Sequence, residues 1–247
     1  MALKTKINYS PNFNPKKRGL KQVKFVVFHY TGMKSELAAL TRLTNIQSKV
    51  SCHYLIKNNG EIIKLVPDLY IAWHAGESSW KNYKSLNKNS IGIEITNPGH
   101  DHGYRQFTKK QITSLLKLSR FLIKEYKISS KNFLGHSDIA VLRKKDPGEK
   151  FPWEYLSRNK IGVWHKLNKK ELTNNRKHKI NKVEESIFFN NMFKIGYSKE
   201  YPKNDSKKKY LIELAKTFQR RFRQELVDGK IDQECLLISK SLVKIFN

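Results

Sequence analysis

Two histidines and one aspartate have the residue types and sequence positions of a metal site. His29 follows the β-branched and aromatic run of residues 23–28, and His136 follows a short strand-like segment at 132–135. Neighbouring strands of one sheet could bring these imidazoles together above an edge, with Asp146 close by in sequence. Imidazole and carboxylate are ligands of catalytic zinc, whose fourth position stays open for water. A buried polar network is the alternative interpretation.

Two further residues could complete a hydrolytic site. Zinc lowers the pKa of a bound water and polarises a carbonyl, for which an amide is a suitable target. Glu94, inside the strand-like segment SIGIEI, could accept the proton of the water and pass it to the leaving amine. Lys144 precedes Asp146 by two positions, so both side chains face the same way in an extended segment, where the lysine could stabilise an oxyanion.

The elements around these residues predict an α/β fold with a central mixed sheet flanked by helices. Apolar spacing predicts helices over 35–48 and 108–127, and Thr108 can cap the second. The runs CHYLIK and EIIKLV flank Asn58-Asn59-Gly60, which is a strong hairpin signal. Residues 70–80 have no clear period.

The last third of the chain predicts a small three-helix bundle. Residues 166–183 are rich in lysine and asparagine and indicate a solvated basic linker or a weak helix. Helical patterns follow over 184–193, 207–224 and 232–246. The predicted division is a catalytic domain at 1–165, the linker at 166–183 and a helical domain at 184–247.

Composition limits the function classes. A chain of 247 residues with 38% hydrophobic residues can build a core in each predicted domain. No apolar run is long enough for a transmembrane segment, and two distant cysteines give no disulfide framework. The formal charge of +28 would attract nucleic acid, anionic lipid or a wall polymer, but lysine carries most of it, which favours a solvated surface over nucleic-acid recognition.

Five segments together resemble the N-acetylmuramoyl-L-alanine amidase family of AmpD- and AmiD-type enzymes, over about residues 20–156. The resemblance implies a zinc groove on one face of the sheet, with His29, His136 and Asp146 as ligands. It also implies Glu94 as the general base and Lys144 as the oxyanion-stabilising residue. The segments are VVFHYTG, SCHYLIKNNGEI, AWHAGESSW, SIGIEITNPG and GHSDIAVLRKKDPGEKFPW.

Two departures identify the branch of this family. Phage-type members have a tyrosine where this chain has Cys52, and often a cysteine where it has Asp146. The glutamate-using AmpD/AmiD branch is therefore implied, and Cys52 is expected to be a small buried residue.

The resemblance also implies contacts to the saccharide and the stem peptide. His74 and Trp73 of AWHAG resemble groove residues, although Trp73 could equally belong to the core. Asn97 and Arg143 are expected to contact the sugar and the stem carboxylates, since arginine binds carboxylate with paired donors. A structural or surface role is expected for the remaining candidates, which are Tyr30, His53, His100, His102, His165 and His178.

Residues 184–247 resemble the peptidoglycan-binding module of AmiD-type amidases, which would tether the enzyme to its polymer. The expected partners are peptidoglycan or muropeptides, with no dedicated nucleic-acid partner, and the oligomeric state is undetermined. We expect action in the cell envelope or periplasm, after loss of a leader that is not seen in the chain, with the cytoplasm as an alternative. The rival functions are a peptidoglycan-binding protein that does not cleave, and a basic nucleic-acid-binding protein.

Overall fold

The protein is described by a computed structural model that covers residues 3–246. Within that range the chain forms ten β-strands and eight α-helices. The strands are β1 (Lys6–Ile7), β2 (Phe13–Asn14), β3 (Phe25–Tyr30), β4 (Tyr54–Ile56), β5 (Ile62–Lys64), β6 (Ile71–Ala72), β7 (Ser79–Trp80), β8 (Tyr83–Lys84), β9 (Ser90–Ile95) and β10 (Phe133–Gly135). The helices are α1 (Glu36–Thr44), α2 (Lys109–Tyr126), α3 (His136–Ile139), α4 (Trp153–Arg158), α5 (Lys169–Asn175), α6 (Lys182–Ile195), α7 (Lys207–Phe222) and α8 (Gln233–Phe246).

Six strands form one mixed sheet in the order β1-β5-β4-β9-β3-β10. The pair β4 and β5 is antiparallel and joined through the predicted turn, where Gly60 has a φ of 83° that favours glycine. The other pairs of this sheet are parallel. The predicted mixed α/β architecture is confirmed, and β3 lies between β9 and β10 with all three strands running the same way.

Capping side chains set the helix boundaries near the sheet. Thr108 and Gln111 form a reciprocal capping box at the start of α2, which matches the predicted helix. Helix α1 ends at Thr44, short of the predicted residue 48. The reason is Asn45, whose side chain accepts a hydrogen bond from the backbone of Gln47 and begins a separate 3-10 turn.

Alternate residues of the central strands face two different packing layers, as the two-residue period of a strand requires. Val26 and Phe28 of β3 pack in one cluster with Leu115, Leu118 and Leu122 of α2. The other face of the same strand contributes Phe25 and Val27 to a second cluster, which also contains Phe188, Phe218 and Leu242 of the C-terminal helices. The sheet is therefore covered by helices on both faces.

The predicted linker is folded against the C-terminal helices. Leu172 of α5 is buried in the second cluster, and Arg176 binds the carboxylate of Glu234 on α8 through two hydrogen bonds of 2.6 and 2.8 Å. The segment contains the short helix α5, in agreement with the predicted alternative of a weak helix, and most of its residues are exposed. The predicted domain boundaries stay a prediction, although one hydrophobic cluster joins residues on both sides of them.

Helices α6, α7 and α8 form the predicted C-terminal three-helix arrangement. Cys52 and Cys235 are both buried, and neither forms a disulfide bond. None of the helices within residues 3–246 combines the length and apolar character that crossing a bilayer demands.

Candidate metal centre and active site

The predicted metal ligands meet at the edge where the parallel strands β3, β9 and β10 end. His29 is the penultimate residue of β3, so it lies inside the strand rather than at its exit. His136 directly follows β10 and begins α3. Asp146 lies in the loop after α3, where its carbonyl accepts a hydrogen bond of 2.9 Å from the backbone of Ser137.

Three atoms of these side chains form a nearly equilateral triangle. The Nδ1 atoms of His29 and His136 are 2.9 Å apart, and Oδ2 of Asp146 lies 3.0 Å from the first and 3.1 Å from the second. All three residues are at most 6% exposed. The sequence prediction that these distant residues form one cluster agrees with this geometry.

The charge states of the cluster suit a cation. Burial, together with the nearby His136, lowers the pKa of His29 to about 4, so its ring is neutral at pH 7. Burial acts to raise the pKa of Asp146, but its contacts with His136 and His29 outweigh burial and hold that pKa well below the ordinary value. A neutral imidazole beside an ionised carboxylate is the form in which these groups bind a metal.

The outer nitrogens of both histidines have other partners. Nε2 of His136 lies 3.1 Å from the carbonyl oxygen of Ala75, and Nε2 of His29 lies 3.0 Å from Nδ1 of His74. A ring that donates from Nε2 presents the lone pair of Nδ1 to the cluster. The two Nδ1 atoms and Oδ2 of Asp146 then all face each other with lone pairs and lack the protons to hydrogen-bond to one another. A set of two histidines and one aspartate in this arrangement fits zinc.

Glu94 of β9 is paired in register with His29 on the neighbouring strand. Its side chain is partly buried, and its Oε2 atom is buried without a hydrogen-bond partner among residues 3–246. Burial and the nearby charge of Asp146 raise the pKa of Glu94 to about 8. A carboxyl group with these properties can both accept and release a proton near neutral pH.

A groove of about 590 Å³ opens over the cluster. Glu94, His136 and Asp146 line it, and Lys144 lies partly buried in the same wall. The charge of Lys144 acts to lower the pKa of both His29 and Glu94, although burial has the largest effect on each. Lys144 thus lines the same groove as His136 and Asp146, and its role at an oxyanion stays a prediction.

His74 lines the groove, but its polar atoms point into the protein. The residue is 6% exposed, and its two ring nitrogens contact His29 and the hydroxyl of Ser90. Burial and the neighbouring histidines keep the pKa of His74 well below its ordinary value. Its ring nitrogens thus contact His29 and Ser90, and the expected contact of His74 to saccharide or peptide stays a prediction.

The other three predicted substrate contacts lie in different settings. Trp73 is 37% exposed and falls outside the groove lining found in the described chain. Asn97 is buried, and its amide binds the backbone of Arg105 and Gly99, so it shapes a loop. Arg143 is exposed and lines the groove, while its guanidinium holds the carbonyls of Ala75 and Glu77. Of these three, the structure brings Arg143 alone to the groove.

Residues expected to be structural include one groove residue. Tyr30 lines the groove, and its hydroxyl lies 2.9 Å from Nδ1 of His100. His53 is fully buried, and its Nδ1 accepts a hydrogen bond from the backbone of Gly92, in agreement with the expected structural role.

Sequence reasoning missed two residues of β9 that serve this site, Ser90 and Gly92. Ser90 contacts His74, and Gly92 leaves space for the ring of that histidine. The alternation in SIGIEI could have identified them. Ile91, Ile93 and Ile95 enter the core, so Ser90 and Gly92 share the opposite face of the strand with Glu94. Arg42 of α1, which also lines the groove, carried no such signal.

The mixed sheet with two histidines and an aspartate converging at one edge defines an α/β protein with a candidate metal centre. A family model described as N-acetylmuramoyl-L-alanine amidase, Amidase_2, matches residues 19–149. The chain therefore belongs to the N-acetylmuramoyl-L-alanine amidase family, and it is an enzyme of that class.

Relatives and solved structures extend the similarity beyond the matched region. AmiD of Escherichia coli is 32% identical over 237 residues, which cover 90% of this chain and 83% of AmiD. AmpD of Haemophilus influenzae is 41% identical over 113 residues, which cover 45% of this chain and 59% of AmpD. The structure of E. coli AmiD with anhydro-N-acetylmuramic acid-L-Ala-D-gamma-Glu-L-Lys has a TM-score of 0.79 at 32% identity, covering 91% of this chain and 90% of AmiD. AmpDH3 from Pseudomonas aeruginosa has a TM-score of 0.77 at 31% identity, with 94% of each chain covered.

Proposed function

We propose that the protein is a zinc-dependent hydrolase of the amide bond between N-acetylmuramic acid, or its 1,6-anhydro form, and L-alanine of the stem peptide. The observation that carries this proposal is the convergence of His29, His136 and Asp146 at the base of an open groove. Membership of the amidase family and the similarity to substrate-bound AmiD support the choice of bond.

The ligand set would hold zinc through Nδ1 of His29, Nδ1 of His136 and a carboxylate oxygen of Asp146. Zinc at this place would supply a water of lowered pKa and a polarised amide carbonyl. Glu94 accepts the proton of the attacking water and returns it to the leaving amine of L-alanine. Lys144 stabilises the negative charge that develops on the carbonyl oxygen.

The charge of the groove supports an anionic substrate. Four basic residues line it against three acidic ones, and peptidoglycan stem peptides carry free carboxylates. The basic residues are Arg42, Arg143, Lys144 and Lys145, and the acidic ones are Glu94, Asp101 and Asp146. Muropeptides bearing a 1,6-anhydro sugar are included in the proposal because AmiD and AmpDH3, the similar structures, were solved with anhydromuramyl peptides.

Cleavage and the need for metal are tested together by mass spectrometry of the products. Intact peptidoglycan and purified anhydro-muropeptides are each incubated with the full chain, with and without a chelator. We expect stem peptides with a free N-terminal L-alanine, loss of the product with chelator, and recovery on adding zinc. A His136→Ala protein that still bound one zinc tightly and released peptide would contradict the site.

A wall-binding role of α6, α7 and α8 is a separate proposal, which the resemblance of residues 184–247 supports. It is tested by co-sedimentation of the His136→Ala chain with purified sacculi, since this variant should bind without cutting. Co-sedimentation of the chain with sacculi, but not with neutral insoluble glycans, would support tethering to the wall. Action in the cell envelope follows from such a substrate and is tested by cell fractionation.

A further inference from the structure

His74 connects a metal ligand to the backbone of the fold through a chain of hydrogen bonds. Its Nδ1 lies 3.0 Å from Nε2 of His29, and its Nε2 lies 3.2 Å from the hydroxyl oxygen of Ser90. The hydroxyl of Ser90 donates in turn to the carbonyl oxygen of Leu86 at 2.7 Å. The three side chains are buried, so solvent offers no alternative partners.

The carbonyl at the end of this chain fixes the direction of every proton. A carbonyl oxygen can only accept, so the Ser90 hydroxyl donates to Leu86 and uses its lone pair toward His74. The neutral ring of His74 has one N–H, which must then be on Nε2, and its Nδ1 becomes an acceptor. His29 therefore donates from Nε2 to His74, which leaves Nδ1 of His29 as a lone pair.

That lone pair is the atom that faces the cluster. Nδ1 of His29 lies 2.9 Å from Nδ1 of His136 and 3.0 Å from Oδ2 of Asp146. A proton on this nitrogen would block metal binding, whereas a proton on Nε2 leaves it free. The chain from Leu86 thus favours the tautomer that a metal needs.

Gly92 makes the position of the His74 ring possible. A Cβ atom at Gly92 would lie 2.4 Å from Cγ of His74, a distance that no real side chain adopts. Ser90, Gly92 and Glu94 are alternate residues of β9 and share one face of the strand. This face therefore supplies a hydrogen-bond acceptor, the space for a ring and the proposed base.

We propose that His74 is a positioning residue, anchored by Ser90, that holds His29 in the tautomer with its proton on Nε2 and so prepares Nδ1 to bind the metal. This assignment rests on the proposed zinc function. It adds to the saccharide or peptide contact expected from the sequence, which concerns the groove side of the ring. Partners of this kind orient metal-binding histidines in general, and their loss weakens metal affinity about 10- to 100-fold.

The first test is zinc affinity of the full chain, measured by competition with a chelating dye. His74→Phe removes the acceptor and should weaken zinc binding about 10- to 100-fold. In His74→Asn, the amide oxygen is bonded to Cγ, as Nδ1 is in histidine, so it can accept the hydrogen bond from His29. This variant should therefore keep most of the zinc affinity. Tyr54→Phe is the matched control, because it removes a buried hydrogen bond of 2.7 Å to Asp68 that is not part of the chain from Leu86 to His29.

A second test reads the tautomer itself, in metal-free protein, from long-range proton–nitrogen NMR spectra of the histidine rings. The wild type and His74→Asn should show His29 protonated on Nε2. Ser90→Ala, a smaller change than the ring replacement, should give a mixture of tautomers and bind zinc more weakly than wild type.

The outcomes separate this inference from the proposed function. A wild-type chain without zinc affinity would remove the zinc function. Wild-type zinc binding with unchanged affinity and an unchanged His29 tautomer in both His74→Phe and Ser90→Ala would overturn the positioning role. Equal losses in His74→Phe, His74→Asn and Tyr54→Phe would also overturn it, since they would indicate general destabilisation.

Discussion

The guanidinium group of Arg221 on α7 donates a hydrogen bond to the carboxylate of Asp138, which shares the short helix α3 with His136. Both side chains are at most 3% exposed. Asp138 also accepts hydrogen bonds of 2.7 Å from the hydroxyl of Tyr197 and from the backbone of Gly135. The C-terminal helices therefore hold the segment that presents His136, a proposed metal ligand.

Arg221→Met should lower the free energy of unfolding by about 3–5 kcal/mol, because it leaves the buried carboxylate of Asp138 without its charge partner. Arg158→Met is the control, since Arg158 pairs with Glu154 at an exposed helix surface and its loss should cost less than about 1 kcal/mol. Urea denaturation of both variants measures the difference. Equal costs would contradict a special role for the buried pair.

Lys144→Met should reduce kcat by about 10²- to 10³-fold, because it removes the charge proposed to stabilise the oxyanion. Lys145→Met removes a neighbouring charge that also lines the groove, so it controls for general electrostatic attraction of the substrate. We expect the second variant to change KM more than kcat. Steady-state release of stem peptide from an anhydro-muropeptide measures both, and a larger loss of kcat in Lys145→Met would reverse the assignment.

Glu94→Gln should retain zinc and lose about 10²- to 10⁴-fold in turnover, since an amide cannot accept the proton of the attacking water. Zinc content by atomic absorption and peptide release by mass spectrometry give the two readings on one sample. Asp101→Asn, at a second carboxylate of the groove, is the control and should keep most of the activity. Full turnover in Glu94→Gln would assign the base elsewhere.

Stability of the metal-free protein should depend on Glu94 in a defined pH window. Burial and the charge of Asp146 raise the pKa of Glu94 from 4.5 to about 8, so between these values the folded chain keeps a proton that the unfolded chain releases. The free energy of unfolding therefore falls as pH rises through this window. Glu94→Gln mimics the protonated form, so its free energy of unfolding should not show this decrease.

With chelator present, Glu94→Gln and wild type should be equally stable at pH 4, and the variant should be more stable at pH 8 by an amount on the order of a few kcal/mol. Urea midpoints of wild type and variant are measured at each pH in this range. Subtracting one from the other removes the contributions of the titrating groups that the two proteins share. Glu77→Gln, at an exposed glutamate, is the control. A difference that grew toward acid pH instead would refute the raised pKa.

Gly92→Ala should destabilise the protein by about 1–3 kcal/mol and weaken zinc binding, because its methyl group would displace the ring of His74. Gly19→Ala is the matched control, since the nearest atom to a Cβ there is the flexible end of Gln22 at 3.8 Å. Thermal unfolding and dye competition measure the two effects. Unchanged zinc affinity in a destabilised Gly92→Ala would separate the ring position from metal binding.

Local patterns predicted the elements well. The predicted elements are all present, although the first strand runs past its predicted end to include His29. They are this strand, the strand containing Glu94, the hairpin at Asn58–Gly60 and the helix capped by Thr108. The reason is that strand alternation, turn residues and capping boxes act within a few residues of each other. The grouping of His29, His136 and Asp146 was predicted from their chemistry and from the family resemblance, because few residue types bind zinc.

Side-chain direction is not predicted by these local patterns. Asn97 and His74 are polar residues near the site in sequence, yet their polar atoms bind the protein itself. The predicted linker is anchored by Leu172 and Arg176, whose partners lie on a helix far along the chain. Such pairings depend on long-range packing and leave no local pattern.

The sequence by itself determined the ligand types, the strand that carries Glu94 and the helical character of the C-terminal region, since each follows from residue chemistry and short-range periodicity. The tertiary structure decided which groups share protons and which charges are buried together. It placed the ring of His74 against Gly92 and the charge of Arg221 against Asp138. Both contacts arise because packing in three dimensions selects partners that distance along the chain does not encode.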